Sequence, residues 1–112
     1  MRYAVPVSNG KLSEHFGHCE HFALIDVDDA KKAILSNEIV PSPGHQPGVL
    51  PVWLAEQGAS VIIAVGMGSR AQSLFWDNRI QVVIGAIGED PEEVVLNYLN
   101  GTLETGDNIC DH

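Results

Sequence analysis

The second half of the chain alternates buried strands with amphipathic helices, and this alternation constrains the fold most. Residues 59–65 form a continuous apolar run, which is typical of a strand covered on both faces, and residues 80–87 repeat the pattern. Apolar residues recur at helical spacing before, between and after these runs. Strands joined through a helix pair in parallel by a right-handed crossover, so the pattern predicts an α/β fold.

The first half of the chain predicts three further strands, at residues 2–7, 21–27 and 30–40. A hairpin joins the last two, and residues 11–20 are predicted to form a polar loop after the first strand. Pro6 fits a central strand only near the strand's end, because proline has no N–H for the ladder. The order β-β-β-α-β-α-β-α predicts a single-domain α/β fold with a mixed five-stranded sheet and three helices.

Local patterns also predict details within these elements. In the second strand, Phe22 and Leu24 are expected on one face, and Ala23 and Ile25 on the other. Asp90 precedes a proline and an apolar helical stripe, so it is the predicted N-cap of the third helix.

Length and charge exclude several classes of function. The chain has 112 residues, enough for one domain, and its 6 basic and 15 acidic side chains give a formal net charge of −9. Nucleic acids and anionic membrane surfaces are excluded as partners, because both require clustered lysine and arginine. No apolar run reaches the roughly 18 residues of a membrane span, and the first residues lack a secretory signal pattern, so a cytoplasmic protein is expected. An ordered core is expected over residues 1–101, followed by a polar tail over residues 102–112.

Histidine and cysteine cluster in the loop after the first strand. Three of the five histidines, His15, His18 and His21, lie within seven residues that also contain Cys19. Imidazole and thiolate bind zinc, copper, nickel, iron and iron–sulfur species, so these four residues, called the histidine cluster below, are candidate metal ligands. The alternative is a solvated, histidine-rich loop with Cys19 buried. The spacing matches no closed zinc knuckle or four-cysteine cluster site, so it indicates a class of ligand without naming a metal.

The chain ends in Cys110, Asp111 and His112, which include the second of its two cysteines. Both cysteines are expected to be free thiols in a reducing cytoplasm. A tail of this kind can fold back and close a metal site, with Cys110 and His112 as ligands. The alternative is a disordered terminus without a function.

A glycine-rich turn follows the apolar run at residues 59–65 and leads directly into a helix. Such a turn points backbone N–H groups and the positive helix end at whatever lies above, which favours an anionic ligand. The glycine spacing matches neither a Walker-type phosphate loop nor a dinucleotide motif. The alternative is a tight turn needed only for packing, with Met67 either a soft thioether ligand or a packing residue. The candidate cofactor-binding residues of this glycine turn are Gly66, Met67, Gly68, Ser69 and Arg70.

Enzymatic chemistry finds little support in the sequence. His18 and His21 flank Cys19, which would favour its thiolate, but no further orienting group for a nucleophile is apparent. The strands at residues 2–7 and 59–65 contain no Asp or Glu, so two-metal phosphodiester chemistry has no scaffold. The chain is therefore expected not to be an enzyme.

Two blocks of sequence carry a resemblance to a known family. The first comprises residues 4–7 (Ala-Val-Pro-Val), residues 12–18 (Leu-Ser-Glu-His-Phe-Gly-His) and Phe22, and the second comprises residues 58–64 and 66–71. Together they resemble the dinitrogenase iron–molybdenum cofactor biosynthesis family, which contains small proteins and domains akin to NifX, NafY and the C-terminal part of NifB. The resemblance spans nearly the whole chain.

The resemblance implies a ribonuclease-H-like fold with sheet order 3-2-1-4-5. It also implies a non-enzymatic role, which is to bind, store or deliver iron–molybdenum cofactor or a related metal–sulfur cluster of Fe-Mo or Fe-S type. In that sheet order the histidine cluster and the glycine turn face each other where the order reverses, a common ligand site. The partner implied is a cluster donor or acceptor protein, with the chain itself a monomer or weak dimer.

The family motif also implies which residues hold the cluster. His15 is the implied ligand, and the rest of the histidine cluster is additional in this chain. Cys110 and His112 resemble the tails of some small stand-alone members. The chain shows neither the extra N-terminal domain of NafY nor the catalytic domain of NifB, so a nitrogenase role is not implied. Two other functions stay open: a simple copper, zinc or iron ion-binding domain, and a regulatory or interaction module without metal.

Overall fold

The chain folds into one mixed β-sheet with helices on both faces. The computed structural model describes residues 1–14, 16–44 and 48–106. Its strands are β1 (Arg2–Ser8), β2 (Lys11–Leu12), β3 (His21–Asp28), β4 (Ala33–Pro41), β5 (Val61–Ile63) and β6 (Gln81–Val83). Its helices are α1 (Val49–Glu56), α2 (Ser69–Asp77) and α3 (Pro91–Leu99), and a 3-10 turn spans Phe16–His18. Among the described residues, no helix is long and apolar enough to cross a membrane.

The strands lie in the order β4-β3-β1-β5-β6, and β2 pairs with β1 off this path. The five strands expected from the sequence therefore have the expected order, but the expected count is wrong because β2 adds a sixth strand. β2 forms because Asn9 and Gly10 both have positive φ, 55° and 78°, which is the geometry of a two-residue hairpin turn. That turn brings Lys11 opposite Ser8, so residues 11–20 are not wholly a loop.

Three strands differ by more than one residue from their predicted extent. β4 begins later than residue 30 because Lys32 has a positive φ of 52°, which belongs to the hairpin turn rather than to a strand. β6 ends at Val83 because Gly85, with a φ of 77°, takes the chain out of the ladder. β5 covers Val61–Ile63 only, because its parallel neighbours β1 and β6 pair with no residue outside this range.

Alternating side chains of β3 build a core on each face of the sheet. Phe22 and Leu24 are buried against α1 and α2, whereas Ala23 and Ile25 are buried against α3, so the predicted alternation is confirmed. These are called the α1/α2 face and the α3 face below. The Asp90 carboxylate accepts an N–H of the first turn of α3 at 3.1 Å, which confirms the predicted N-cap.

One edge of the sheet, called the carboxyl edge below, gathers the segments that carry the candidate site. β1 pairs in parallel with β5 through Tyr3 and Ala4, and β5 pairs in parallel with β6, so the carboxyl ends of the three strands lie together. β3 runs antiparallel to β1, which brings His21 to the same edge opposite Val7. Pro6 lies beyond the residues of β1 that pair with β5, where its missing N–H costs no bond to that strand.

After α3 the chain returns to the carboxyl edge. Residues 103–106, called the return segment below, pair with the loop after β6 through an antiparallel bridge between Ala86 and Thr105. Gly106 also donates its N–H to the carbonyl oxygen of Gly85 over 2.6 Å. Part of the stretch that was expected to be a polar tail thus pairs with the loop after β6. The rest of it, residues 107–112, lies outside the described residues.

Candidate functional site

The candidate site lies at the carboxyl edge, between β1 and β5. The chain continues from β1 toward β3 on one side of this point and from β5 toward β6 on the other, so the order of the sheet reverses here. Crevices outside the carboxyl ends of strands at such a reversal are common ligand sites in α/β folds. The loop after β1, the glycine turn after β5 and the return segment all reach this edge.

The loop after β1 is held by packing against α2. The ring of Phe16, in the 3-10 turn, meets the ring of Phe75 edge to face, with 5.8 Å between centroids. The N–H of Ser13 donates to the carbonyl oxygen of Pro6 at 2.8 Å, which ties the loop back to β1. These two contacts therefore fasten the loop after β1 to α2 on one side and to β1 on the other.

Cys19 is a packing residue in this structure. Its side chain is only 7% exposed and belongs to the core on the α1/α2 face. The thiol donates to the carbonyl oxygen of Phe16 at 3.1 Å, and burial raises the pKa of Cys19 to about 11. A metal binds the thiolate rather than the thiol, so the described conformation does not present Cys19 as a ligand. The alternative interpretation of the sequence, a buried Cys19, describes this conformation.

The two described histidines of the cluster differ from Cys19 in their exposure to solvent. His18, in the 3-10 turn, and His21, at the start of β3, are both exposed. His21 pairs with Val7 across the β1–β3 ladder and therefore shares the α3 face with it, opposite to the face that holds Cys19. His15, the ligand implied by the family motif, lies outside the described residues. The described members of the cluster thus share one edge without converging on one point.

Metal-binding side chains do not form a ready site in the part of the chain that the structure describes. No group of three or more His, Cys, Asp or Glu side chains is arranged there to hold a metal ion. His15, Cys110 and His112 are not among the residues searched, so the site predicted from the sequence is described only in part.

The groups that the glycine turn could present to a ligand are backbone N–H groups and one cationic side chain. Gly68 is the N-cap of α2 in an extended conformation, and it supplies no side-chain acceptor to the first turn of the helix. The first N–H groups of a helix lack partners within the helix and carry partial positive charge. Ser69 and Arg70 follow, both exposed, and none of the ion pairs found among the described residues uses Arg70.

The buried half of the glycine turn has a different role. Gly66 is buried, and Met67 is fully buried in the core on the α1/α2 face. The Gln72 side chain donates to the carbonyl oxygen of Met67 at 2.9 Å and so fastens the turn to α2. Of the two roles that the sequence allows for Met67, the structure shows packing.

Gly85 and Gly106 are site elements that the sequence patterns did not predict. The N–H of Gly85 donates to the carbonyl oxygen of Val65 at 2.9 Å, so the loop after β6 touches the residue that precedes the glycine turn. Gly106 in turn donates to Gly85. The available signal was an isolated glycine inside an apolar run, which marks a close approach of backbone.

Comparison with known proteins gives a match over most of the chain. A family model described as dinitrogenase iron-molybdenum cofactor matches residues 1–101. Protein MJ0580 of Methanocaldococcus jannaschii is 31% identical over 109 residues, covering 93% of this chain and 90% of that protein. The matched stretch includes the histidine cluster, the glycine turn and Gly85.

Solved structures share the fold. The crystal structure of PH0822 superposes with a TM-score of 0.85 and 29% identity over 94% of each chain. The apo form of the orange protein from Desulfovibrio gigas superposes with a TM-score of 0.71 and 24% identity, covering 96% of this chain and 93% of that one. At this identity the second likeness concerns the fold alone.

Proposed function

The chain belongs to the dinitrogenase iron-molybdenum cofactor family, and from this premise we propose that it is a non-enzymatic carrier for a metal–sulfur cluster of iron–molybdenum or iron–sulfur type. The observation that carries the proposal is the family match over residues 1–101, which contain both segments of the carboxyl edge between β1 and β5. The ribonuclease-H-like arrangement and a cytoplasmic location are parts of the same proposal.

The histidine cluster supplies the metal ligands in this proposal. His15 is the principal ligand, and the exposed imidazoles of His18 and His21 assist it. Cys19 joins only if the 3-10 turn opens, because its thiol is buried and bonded to Phe16. The ligands on the described surface are thus imidazoles, which leave a cluster accessible for transfer to a partner.

The glycine turn supplies charge complementarity to the cargo. Metal–sulfur clusters are commonly anionic, and a chain with a net charge of −9 needs local positive groups to hold one. The N-terminus of α2 and the exposed Arg70 are such groups, and they lie at the same edge as the loop after β1. Arg70 would be unfavourable in the first turn of a helix without an anion nearby.

The exposed position of these groups suits a carrier better than an enzyme. Among the described residues, the one nucleophile in the cluster, Cys19, is held as a buried neutral thiol. A carrier needs an open edge from which a donor or acceptor protein can transfer the cluster, and the described histidines lie on such an edge. The partner proposed is therefore a cluster donor or acceptor, and the chain acts as a monomer or weak dimer.

Anaerobic reconstitution tests this proposal. The protein is incubated with Fe(II) and sulfide, or with tetrathiomolybdate and Cu(I), and bound metal, bound sulfide and visible absorption are measured after desalting. We expect wild type to bind metal and sulfide together, and His15→Ala to lose most of both. His45→Ala is the matched control, since His45 is the one histidine outside the cluster and the tail. If wild type retains no metal in either mixture, the carrier function is wrong.

A second pair of variants tests the anion site. Arg70 and Arg79 are both exposed, but Arg70 lies in the first turn of α2, whereas Arg79 lies two residues beyond the last residue of that helix. Arg70→Ala is expected to weaken binding of the anionic cluster about three- to tenfold, which corresponds to roughly 1 kcal/mol. Arg79→Ala is expected to leave it unchanged. Equal losses in both variants would mean that only the overall charge matters.

One observation favours a simple ion-binding domain as the second candidate. Of the candidate ligands among the described residues, the exposed ones are imidazoles, which suit copper and zinc without sulfide, whereas Cys19 is buried. Sulfide analysis separates the two candidates, because an ion-binding domain retains copper or zinc with no bound sulfide and no visible chromophore of a cluster. A protein that binds neither ions nor clusters would be a metal-free interaction module.

A further inference from the structure

The chain contains two asparagine–glycine steps, and the structure gives them different surroundings. Asn9 and Gly10 form the turn between β1 and β2, whereas Asn100 and Gly101 follow the last residue of α3. All four residues are exposed, so exposure to solvent does not distinguish the two steps. Asparagine before glycine is prone to deamidation, because glycine has no side chain to hinder an attack by its backbone nitrogen.

Hydrogen bonds hold both reacting groups of the step after α3. The side-chain amide of Asn100 donates to the carbonyl oxygen of Leu96 at 2.8 Å. The N–H of Gly101 donates to the carbonyl oxygen of Tyr98 at 3.1 Å. The attacking nitrogen and the leaving group are therefore both engaged, and deamidation at Asn100 requires both bonds at the end of α3 to break.

The step between β1 and β2 lacks this protection. Among the described residues, no hydrogen bond involves the side-chain amide of Asn9 or the N–H of Gly10. The strand that follows the turn, β2, comprises only Lys11 and Leu12, and Lys11 pairs with Ser8 directly across the turn. Loss of this one pair opens the turn, so the reacting groups can approach each other without unfolding of the sheet.

We propose that Asn9 is a spontaneous modification site at the carboxyl edge, which water converts to aspartate and isoaspartate, whereas Asn100 is protected. The backbone nitrogen of Gly10 loses its proton and attacks Cγ of Asn9. The new C–N bond closes a succinimide ring as the bond from Cγ to Nδ2 breaks, and ammonia leaves with that proton. Water then opens the ring at either carbonyl to give a carboxylate and a proton, and no electrons are transferred. The inference does not depend on the proposed carrier function.

The product changes the contact that holds the end of the loop after β1. The backbone N–H of Asn9 donates to Glu20 Oε1 at 3.1 Å, and the N–H of Glu20 donates to Ser8 Oγ at 3.4 Å. A carboxylate at position 9 adds a second negative charge beside that of Glu20, and like charges repel. Isoaspartate also adds a methylene carbon to the main chain of the turn. Because Glu20 directly follows Cys19, the conversion loosens the segment that buries this thiol.

Ageing of the full-length protein tests the modification site. Native protein and protein unfolded in urea are incubated in mildly alkaline buffer, and peptide mapping by mass spectrometry follows each asparagine. We expect Asn9 to convert about tenfold faster than Asn100 in the native protein, because only Asn100 must first lose two hydrogen bonds. In urea the two rates should be similar. Equal rates in the native protein, or faster conversion of Asn100, would overturn the proposal.

Two variants assign the acidic product to one position. Asn9→Gly removes the reacting side chain, and glycine tolerates the positive φ of 55° at this position. This variant should lose most of the acidic species that ion-exchange chromatography separates from aged wild type. Asn100→Ala is the matched control and should accumulate the species as wild type does. Persistence of the acidic species in Asn9→Gly would show that the modification lies elsewhere.

Separated fractions of the aged protein test the effect on the loop. Alkylation of Cys19 is measured in a Cys110→Ser background, for the unmodified and the isoaspartyl fractions. We expect Cys19 to react about threefold faster in the isoaspartyl fraction, because its segment opens more often. Asn9→Asp carries the charge without the added methylene and should give an intermediate rate. Equal rates in the two fractions would contradict the coupling between the turn and Cys19.

Discussion

Phe16 and Phe75 meet edge to face, with ring centroids 5.8 Å apart and an angle of 66° between the rings. This contact joins the loop after β1 to α2, although 59 positions separate the two residues in the sequence. Cys19 donates to the carbonyl oxygen of the same Phe16, so one aromatic contact controls both the position of the loop and the burial of the thiol. We therefore expect the exposure of Cys19 to depend on this pair of rings.

Replacing Phe16 by Ala should expose Cys19. The half-buried ring leaves a gap against α2, and we expect a loss of about 2 kcal/mol in the free energy of unfolding, below the range for a fully buried Phe. Alkylation of Cys19 in a Cys110→Ser background should accelerate at least tenfold. Phe16→Leu is the control, because it keeps most of the volume and should change both quantities less. An unchanged alkylation rate in Phe16→Ala would contradict the coupling.

The reactivity of Cys19 should rise with pH far above the range of an ordinary thiol. Burial raises its pKa to about 11, so about 0.1% of it is thiolate at pH 8, against roughly a quarter of a thiol with a pKa near 8.5. The alkylation rate of Cys19, measured in Cys110→Ser, should increase close to tenfold per pH unit between pH 8 and 10. A rate that levels off near pH 9 would show that the thiol is solvated.

The ion pair between Arg2 and Asp26 should make stability depend on pH in acid. Arg2 Nε lies 2.8 Å from Asp26 Oδ1, and Arg2 Nη2 donates to Asp26 Oδ2 at 3.1 Å, which holds the pKa of Asp26 below its usual value. The lowered pKa means that this stabilisation is present above the unfolded pKa, about 3.9, and is lost as pH falls through the folded pKa.

Asp26→Asn tests that dependence. The variant should lose about 1 kcal/mol at pH 7, because both side chains are about one-third exposed and solvent screens the pair. Urea unfolding should show the difference from wild type shrinking below pH 4. Asp29→Asn is the control. The Asp29 side chain is half-exposed and its carboxylate lies as far as 3.9 Å from the terminal amine, so this substitution should have little effect on stability at any pH. A difference that is independent of pH would contradict the electrostatic explanation.

Removing the N-cap of α3 should destabilise the α3 face. Asp90→Ala leaves the N–H of Glu92 without its 3.1 Å acceptor, and we expect a loss of about 1 kcal/mol in chemical unfolding. Asp77→Ala is the control, because Asp77 lies in the last turn of α2, where a negative charge opposes the helix dipole. That variant should be neutral or slightly stabilising. Equal losses in both variants would rule out a capping effect.

Local patterns in the sequence predicted the type and order of the three helices and of five of the six strands. The alternation of Phe22 with Ala23 predicts both faces of β3, and Asp90 before Pro91 predicts the start of α3, because each depends on neighbours within a few residues. The Asn9–Gly10 turn carried the signal for β2 as well, although the loop prediction did not use it. Strand boundaries were less predictable, since they depend on how much of each strand its neighbours pair with.

Element order in the sequence predicts an α/β sheet, and the resemblance to a known family adds the strand order that places the loop after β1 beside the turn after β5. Which side chains of these two segments face solvent depends on the packing of the folded chain. Cys19 and His21 are two positions apart in the same motif, yet one is buried on the α1/α2 face and the other is exposed on the α3 face. The approach of Gly106 to Gly85 likewise joins distant residues. Contacts between segments that are far apart in the sequence determine which side chains are buried and which segments touch. No local sequence pattern contains that information.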